Sequence, residues 1–401
     1  MSFIEIHGYC APGFAPVKDA FAENFSNRGE AGAAFSVYRC GDRVVDIWAG
    51  TRDRHDRLPW QEDTIVNVFS ASKGVVALCA LQLQEQGLLD FTEPVARYWP
   101  EFAAHGKADI RIEQVLCHRS GLAAIWQDIE DSRVYDWQAM VEVMEQERPY
   151  WPPGSAQGYQ VFTYGWLVGE LIRRVSGLSV GNYIQQHISL PLGLDFYIGV
   201  TDDQFSRIAD VAPRPPKNTK KPVQRADKSK EIAVPGRSEA RSDRSKKPDS
   251  IAARALTTPE SLFKGTNSSA WRRAEIPAGN GHSDARSLAR LYAALADDGQ
   301  LNGIRLLKTA TLPLCSAEMS NEIDRVLGIS MRFGPGFMLY SEPGFAFGGP
   351  RSFGHTGNGG SLAFADPDIG LGLAYVTNRL ANGDRRSRVL VDATYQCVAV
   401  G

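Results

Sequence analysis

The tetrapeptide Ser70-Ala71-Ser72-Lys73, at the start of the apolar run from Val75 to Leu83, constrains this chain most strongly. The run predicts a buried helix, and a lysine three residues after a serine places both side chains on one helical face. The backbone N–H of Ser70 then lies at the positive end of the helix, where it can face a developing oxyanion. Such an arrangement can activate a serine without histidine, although the tetrapeptide alone also occurs by chance in many helices.

The bulk composition excludes several classes of protein. The chain has 401 residues, 43% of them hydrophobic, and a formal net charge of -2. This length suffices for one large domain or for a domain with a subdomain. The nearly neutral charge gives no general attraction to nucleic acid or membrane, and neither a secretory signal nor a transmembrane run is evident. We therefore expect a cytoplasmic protein with no nucleic-acid and no membrane partner, and we leave its oligomeric state open.

Neither the cysteines nor the histidines are spaced as metal ligands. The six cysteines are scattered without a Cys-x-x-Cys pair, as expected for reduced thiols of a cytoplasmic protein. The seven histidines show no His-x-x-x-His or His-Glu-x-x-His spacing. The spacing therefore predicts no metal site. We also expect no metal or organic cofactor, because no residue pattern in the sequence implies one.

Strand patterns lie near both ends of the chain, and helical patterns fill the middle. The predicted strands are Ala33 to Arg39, Val44 to Ala49, Gly328 to Leu339, Ser361 to Ala365 and Leu371 to Asn378, with Gly41-Asp42 as the first hairpin turn. The predicted helices include Phe14 to Asn27, Thr163 to Val175 before a Gly177 cap, Ser283 to Ala296, and Arg386 to Tyr395. This order favours one sheet built from both termini, with a helical insertion as a second lobe.

The segment 214–250 differs from the rest of the chain. It contains 12 Lys or Arg against 5 Asp or Glu, a net charge of +7, with many Ser and Pro and no aromatic residue. This composition is typical of a solvated loop. A lid over the active site and a binder of anionic surfaces are the alternatives, and the lack of aromatic residues disfavours nucleic acid.

Two further motifs indicate how the tetrapeptide Ser70-Ala71-Ser72-Lys73 should be interpreted. One is Pro153-Gly154-Ser155-Ala156-Gln157-Gly158-Tyr159, and the other is His355-Thr356-Gly357-Asn358-Gly359-Gly360-Ser361, before a predicted strand from Leu362. Ser-x-x-Lys, Pro-Gly-x4-Tyr and a Lys-Thr-Gly-like triplet, in this order, resemble the motif set of the serine β-lactamase and penicillin-binding-protein superfamily. The chain looks most similar to the class C β-lactamase-like carboxylesterases called family VIII esterases.

The resemblance extends over nearly the whole chain apart from the basic segment. Leu116-Cys117-His118-Arg119-Ser120-Gly121-Leu122 and Leu190-Pro191-Leu192-Gly193-Leu194 are similar to two further superfamily stretches. The resemblance implies an α/β (α+β) fold: a β-lactamase-like antiparallel sheet flanked by helices, with a second, mainly helical lobe. We expect a single catalytic domain over 1–401, with the sheet lobe from about 1–65 and 285–401 and the helical lobe over about 90–280.

The resemblance also assigns roles to individual residues. Ser70 is the acylated nucleophile, Lys73 takes or holds its proton, and Tyr159 passes a proton to the leaving group. The backbone N–H groups of Ser70 and Asn358 are the matching oxyanion donors, while His355 and Gly357 contribute to substrate binding. No glutamate stands in a matching position as a base for deacylation, so Tyr159 and Lys73 would serve both halves of the reaction.

Two departures from the β-lactamase pattern bear on the substrate. Val161 stands where β-lactamases often carry an asparagine that contacts the substrate amide, and His355 stands where they carry a lysine. A mostly neutral imidazole is a poorer partner for a β-lactam carboxylate than a permanent ammonium. We therefore expect a carboxylesterase for short acyl esters. A β-lactamase, D,D-peptidase or other amide hydrolase stays an alternative, as does a non-catalytic penicillin-binding-like sensor.

Three other residues compete for catalytic roles. Ser179 lies in Gly177-Leu178-Ser179-Val180-Gly181, which matches the nucleophile elbow of α/β-hydrolases, but the segment follows a predicted helix rather than a strand. We expect Ser179 to cap the next helix. His118 is expected to form structural hydrogen bonds rather than to act as a base, and Tyr164, the nearest competitor of Tyr159, is expected to pack in the core.

Overall fold

The protein contains one large antiparallel sheet that both ends of the chain build. The structure is a computed structural model and describes residues 4–53, 55, 57–212, 250–381 and 385–400. Its nine-stranded sheet has the order β1-β3-β2-β15-β14-β13-β12-β11-β10, with antiparallel pairing throughout. These strands are β1 (His7–Cys10), β2 (Gly32–Arg39), β3 (Asp42–Gly50), β10 (Ser320–Ile323), β11 (Ser330–Phe333), β12 (Met338–Leu339), β13 (Phe353–Thr356), β14 (Leu362–Asp366) and β15 (Leu371–Thr377).

Two smaller sheets complete the strands of the described residues. A four-stranded sheet has the order β5-β7-β4-β6, and β8 pairs with β9. Their bounds are β4 (Ile65–Phe69), β5 (Phe196–Tyr197), β6 (Ile208–Ala209), β7 (Gly281–Ser283), β8 (Gln300–Leu301) and β9 (Ile304–Arg305). The four-stranded sheet matters for the site because β4 leads directly to Ser70.

Most of the regular structure described between β4 and β7 is helical, and helices also flank the large sheet. The α-helices are Ala15–Asn27, Ser72–Glu85, Val95–Tyr98, Ile112–Leu116, Trp137–Gln146, Thr163–Ser176, Val180–Ile184, Leu190–Leu192, Ile251–Thr257, Ser261–Lys264, Ser269–Arg273, Ala285–Ala296, Leu312–Cys315 and Arg386–Val400. Within the described part of the chain, no helix combines the length and apolar character that a membrane span requires. The predicted α/β class, with a flanked antiparallel sheet, is confirmed.

The two faces of the large sheet pack differently because neighbouring residues of a strand point to opposite sides. In β14, Ala363 and Ala365 belong to one apolar cluster, and Leu362 and Phe364 belong to the other. The alanine face lies against the Ala285–Ala296 helix. The larger side chains lie on the face covered by the first and last helices of the chain.

Several sequence-based boundaries need correction. The first hairpin turns at Cys40-Gly41 rather than Gly41-Asp42, because Arg39 pairs with Asp42 and both turn residues have positive φ. Ser283 belongs to β7, and Asp284 caps the following helix by accepting the Ser287 N–H. The predicted run from Gly328 to Leu339 is two short strands, β11 and β12, and β10 and β13 lie outside every predicted strand.

The basic segment 214–250 lies outside the described residues except for Ser250. The predictions of a solvated loop, a lid or an anion binder there stay predictions. The expected division into a sheet lobe and a helical lobe within one domain also stays a prediction.

Candidate active site

Ser70 lies in a tight turn that joins β4 to the buried helix Ser72–Glu85. The residue before it, Phe69, has a φ of +51°, a conformation that residues other than glycine seldom adopt. Such strained positions persist only where the surrounding structure holds them, and they cluster at active sites. The turn that carries the predicted nucleophile is therefore a candidate functional site on backbone geometry alone.

The side chain of Ser72 holds this turn in place. Its hydroxyl donates to the Phe69 carbonyl and accepts the backbone N–H of Gly281 at 2.9 Å. A Cβ atom at position 281 would lie 2.5 Å from the Ser72 Oγ, so glycine is required for β7 to approach this closely. This supporting role of Ser72 was not predicted from the sequence, although Ser72 stands inside the motif.

The side-chain nitrogen of Lys73 is buried beside the Ser70 hydroxyl. Its Nζ lies 3.2 Å from Ser70 Oγ, and it donates to the carbonyl oxygens of Val161 at 2.8 Å and Ala278 at 2.9 Å. Because carbonyls only accept, two N–H bonds point at them, and a further position on the nitrogen faces Ser70. That position can hold a proton or the lone pair of a neutral amine, so the geometry suits proton transfer between Lys73 and Ser70.

The Ala278 carbonyl comes from the loop that precedes β7. Asn280 folds this loop, since its amide donates to the Ala274 carbonyl at 2.6 Å and accepts the Ile276 N–H at 2.9 Å. A Cβ at Gly165 would lie 2.5 Å from the Ala278 nitrogen, so this glycine admits the loop. These backbone contacts of Lys73 cannot be predicted from the sequence, because every residue has a carbonyl group and no residue type marks these two.

Tyr159 lies next to Lys73. The centre of its ring is 4.9 Å from Lys73 Nζ, and the side chain is only 5% exposed. The ring stacks on Phe333 at 6.1 Å between centroids, and His118 contacts its edge at 4.9 Å. In the sequence, Lys73 and Ser70 precede Tyr159 by 86 and 89 positions. The structure therefore brings together three predicted catalytic residues from distant parts of the chain.

A buried carboxylate holds the backbone of Tyr159. Asp324 accepts the Tyr159 backbone N–H, the side-chain amide of Gln157 at 3.2 Å, and the N–H groups of Val326 and Leu327, each at 2.9 Å. Burial raises the pKa of Asp324, while these donors favour its charged form. Asp324 lies far from the tyrosine motif along the chain, so no sequence pattern connects the two.

His118 is fully buried and hydrogen-bonded to the backbone, while its structural role stays a prediction. Its Nδ1 accepts the Gln160 N–H at 3.3 Å, and its ring lies 4.5 Å from that of Phe333. Burial, reinforced by the charge of Lys73, holds the pKa of His118 well below its ordinary value. The imidazole is therefore neutral, and its contacts brace the ring of Tyr159.

His355 is also fully buried, at the end of β13. Its Nδ1 lies 2.7 Å from the Thr356 carbonyl, so Nδ1 carries the hydrogen and Nε2 carries a lone pair. Nε2 has no hydrogen-bond partner among the described residues. Burial, together with the charge of Lys73, lowers the pKa of His355 to about 3, and the ring centre lies 6.1 Å from that of Tyr159.

Asn358 and Gly357 lie in the turn between β13 and β14. A Cβ at Gly357 would lie 2.2 Å from the carbonyl oxygen of Val68, two residues before Ser70, so glycine lets the two turns meet. Gly357 also donates its N–H to the Ser361 carbonyl at 2.6 Å. The turn that carries Asn358 is thus held beside the turn that carries Ser70, while the oxyanion role of both N–H groups stays a prediction.

The competing residues take structural positions. Ser179 caps the Val180–Ile184 helix by accepting the Asn182 N–H at 3.3 Å, and it donates to Glu275 at 2.6 Å. Tyr164 is fully buried in the core. All six cysteines are free thiols, and the described residues contain no group of three or more metal-ligating side chains placed to hold an ion.

Comparison with known proteins identifies the family. A family model described as Beta-lactamase matches residues 17–395. The chain belongs to the β-lactamase family. The motifs at Ser70, Tyr159 and His355 all lie within the residues that the family model matches, and these residues make up nearly the whole chain.

Three individual proteins within this comparison are similar to the chain over most of its length. The protein called Esterase/beta-lactamase LipL, from Mycobacterium tuberculosis strain H37Rv, is 33% identical over 385 residues, which cover 94% of this chain and 83% of LipL. The crystal structure of a family VIII carboxylesterase is 34% identical with a TM-score of 0.85, covering 98% of this chain and 100% of that one. A penicillin-binding-protein homologue from Caulobacter crescentus is 38% identical, with the same TM-score and the same coverage.

Replacing Tyr159 by phenylalanine tests its predicted role in proton transfer. We expect kcat for p-nitrophenyl butyrate to fall about 10²-fold, because a positioned proton-transfer group contributes at least this much. Tyr164→Phe is the matched control, since the buried Tyr164 hydroxyl has no hydrogen-bond partner among the described residues. It should keep both kcat and melting temperature. Equal losses of kcat in the two variants would contradict the assignment of Tyr159.

The buried neutral histidines predict acid sensitivity. The pKa values of His355 and His282 are about 3 in the folded protein, because of burial, against about 6.5 when unfolded. Between these values the unfolded chain binds more protons, so the free energy of unfolding falls as pH decreases from about 6.5 towards 3. From pH 7.5 to 5.0 we expect each ring to cost about 2 kcal/mol.

Urea titrations at the two pH values measure this effect. His355→Asn should lose less stability than the wild type on acidification, because one titrating ring is gone. His105→Asn, which changes an exposed ring, is the control. An unchanged difference between pH 7.5 and 5.0 in His355→Asn would show that His355 does not contribute.

Proposed function

We propose that this β-lactamase-family protein is a serine carboxylesterase that hydrolyses short acyl esters through an acyl-enzyme on Ser70. The contact of 3.2 Å between Lys73 Nζ and Ser70 Oγ supports a serine nucleophile with an amine as its proton acceptor. The observation that carries the choice of ester is the neutral His355 in place of the β-lactamase lysine.

The first half of the reaction forms the acyl-enzyme. Ser70 Oγ attacks the ester carbonyl while its proton moves to the neutral amine form of Lys73, and the resulting oxyanion accepts hydrogen bonds from the N–H groups of Ser70 and Asn358. The bond between the carbonyl carbon and the alkoxy oxygen then breaks. Tyr159 delivers the proton to the alkoxy oxygen, and the alcohol leaves.

The second half restores the free serine. A water molecule gives a proton to the Tyr159 and Lys73 pair and attacks the acyl carbon, forming a second oxyanion in the same place. The ester bond to Ser70 breaks, and Ser70 Oγ recovers a proton from Lys73. No separate carboxylate base is needed in this scheme, in keeping with the absence of a glutamate in a matching motif position.

Two replacements disfavour anionic amide substrates. Because the pKa of His355 is about 3, the ring carries no charge at neutral pH and offers no ionic partner to a carboxylate. Val161 offers only an apolar side chain, and its carbonyl is already occupied by Lys73. An uncharged ester loses little from either change, whereas a β-lactam loses two polar contacts.

Weak β-lactam hydrolysis is the second candidate activity. The name of LipL combines esterase and β-lactamase, and the Caulobacter crescentus protein is called a penicillin-binding-protein homologue. A sensor that acylates without turnover is an alternative from a different class. The intact set of Ser70, Lys73 and Tyr159 favours turnover.

Parallel assays separate these candidates. We expect kcat/KM for p-nitrophenyl acetate and butyrate to exceed kcat/KM for nitrocefin and for an acyl p-nitroanilide by at least about 10²-fold, as the loss of two polar substrate contacts implies. Nitrocefin turnover equal to ester turnover would overturn the ester preference. A stable acyl adduct with no turnover of either class would instead establish the sensor.

A further inference from the structure

A buried guanidinium group ties the turn that contains Asn358 to the C-terminal helix. The side chain of Arg386 is 1% exposed and lies at the first residue of this helix. Its Nη2 donates to the carbonyl oxygens of Gly359, at 2.9 Å, and of Arg379, at 2.8 Å. Because Gly359 directly follows Asn358, the guanidinium restrains the backbone one residue beyond the proposed oxyanion donor.

Glu30 fixes the other side of this guanidinium. Arg386 Nη1 donates to Glu30 Oε2 at 2.8 Å, and the Glu30 side chain is 0% exposed. Glu30 also accepts the hydroxyl hydrogens of Tyr375 and Thr377, both in β15, and the backbone N–H of Ala31 at 2.9 Å. A planar guanidinium held at both edges keeps one orientation, so the pair forms a rigid anchor.

The turn itself is packed closely on two sides. Gly357 lies against the Val68 carbonyl, where a Cβ would come within 2.2 Å. Gly359 has a φ of +93°, and a Cβ there would lie 2.5 Å from Leu380 Cδ2. Close packing therefore limits movement of the turn towards Val68 and towards Leu380, and the hydrogen bond from Arg386 holds the carbonyl of Gly359.

We infer that Arg386 is a positioning residue that holds the Asn358 N–H on the oxyanion of the reacting ester. This inference rests on the proposed function. Oxyanion donors act at 2.7–3.1 Å from the developing charge, so a small displacement weakens the transition state more than the bound substrate. Loosening Arg386 should consequently lower kcat while leaving KM nearly unchanged.

Arg386→Lys tests this inference with the least damage. Lysine keeps the positive charge beside Glu30, but a single ammonium cannot reproduce the planar, two-sided hold on Glu30 and Gly359. We expect kcat for p-nitrophenyl butyrate to fall about 10- to 100-fold, less than the full loss of an oxyanion donor, with KM within about twofold. Arg388→Lys is the matched control, because Arg388 lies on the same helix and bonds the Ala346 carbonyl and Asp392 instead.

A transition-state mimic distinguishes positioning from general damage. Butylboronic acid adds reversibly to Ser70 Oγ, and the tetrahedral boronate places an oxygen where the oxyanion forms. In Arg386→Lys its Kd should rise by the same factor by which kcat falls, while Arg388→Lys keeps the wild-type value. If Arg386→Lys does not fold, Glu30→Gln replaces it, because glutamine removes the carboxylate charge but keeps an amide oxygen for the guanidinium. The same two quantities, kcat and the Kd of the boronate, are then measured in Glu30→Gln.

The outcomes separate this inference from the proposed function. Wild-type kcat and wild-type boronate affinity in Arg386→Lys would overturn the positioning role while leaving the esterase intact. A fall in kcat with unchanged boronate affinity would equally overturn it, since the loss would then lie elsewhere. Full ester turnover by Ser70→Ala would overturn the proposed function itself.

Discussion

Ser70→Ala is expected to reduce ester turnover at least about 10⁴-fold, because removal of a covalent nucleophile in an acyl-transfer enzyme costs this much or more. The variant should fold normally, since the Ser72 hydroxyl, not Ser70, bonds the Phe69 carbonyl and the Gly281 N–H that hold the turn. Steady-state hydrolysis of p-nitrophenyl butyrate, with folding of the variant checked by thermal melting, measures the effect.

Ser179→Ala is the control for this experiment. Ser179 caps a helix and bonds Glu275, so its loss should cost about 1 kcal/mol of stability and leave kcat unchanged. If Ser179→Ala abolished turnover while Ser70→Ala kept it, the nucleophile would lie in the Gly-x-Ser-x-Gly segment and the whole mechanism would be wrong.

Lys73→Met should lower kcat about 10³-fold or more. The lysine nitrogen is the proton acceptor closest to Ser70 in the proposed mechanism, at 3.2 Å, and methionine cannot take a proton. Methionine also leaves the carbonyls of Val161 and Ala278 without this donor, which costs about 1–3 kcal/mol of stability for each buried group. Activity must therefore be expressed per folded molecule.

The chain offers a matched control in a second buried lysine. Lys107 is 0% exposed and donates to the backbone carbonyls of Ala104, Glu145 and Glu147. Like Lys73, it is therefore a buried lysine whose ammonium group bonds backbone carbonyls. Lys107→Met should lose stability as Lys73→Met does, but it should keep kcat per folded molecule. Similar kcat values for the two variants would contradict a chemical role for Lys73.

Sequence patterns predict the parts of this fold that have strong local signals. The apolar run after Lys73 predicts a buried helix, and every residue from Ser72 to Leu83 is buried in the structure. Gly177 predicts the end of the Thr163–Ser176 helix, where its φ of +73° provides the left-handed cap. Short strands fail because they lack such signals: Met338–Leu339 is two residues long and exists only through pairing with β11 and β13.

The candidate site likewise contains some residues that can be predicted from the sequence and some contacts that cannot. The motif side chains Ser70, Lys73 and Tyr159 can be found from sequence because their chemistry depends on residue type, and the structure places Lys73 next to the other two. Other parts of the site depend on tertiary contacts between distant segments. These are the carbonyls that accept from Lys73, the Asp324 carboxylate that accepts the Tyr159 N–H, and the hydrogen bonds of Arg386. No spacing rule reports such contacts in a single sequence.

Mapping of the covalent adduct tests the central claim most directly. The protein is incubated with an alkyl p-nitrophenyl phosphonate, which transfers its phosphonyl group to an activated serine and releases p-nitrophenol, and intact mass and peptide masses are then measured. We predict one adduct per chain, on the peptide that contains Ser70, and none in Ser70→Ala. An adduct on Ser179, or ester turnover that continues after Ser70 is fully modified, would contradict the account.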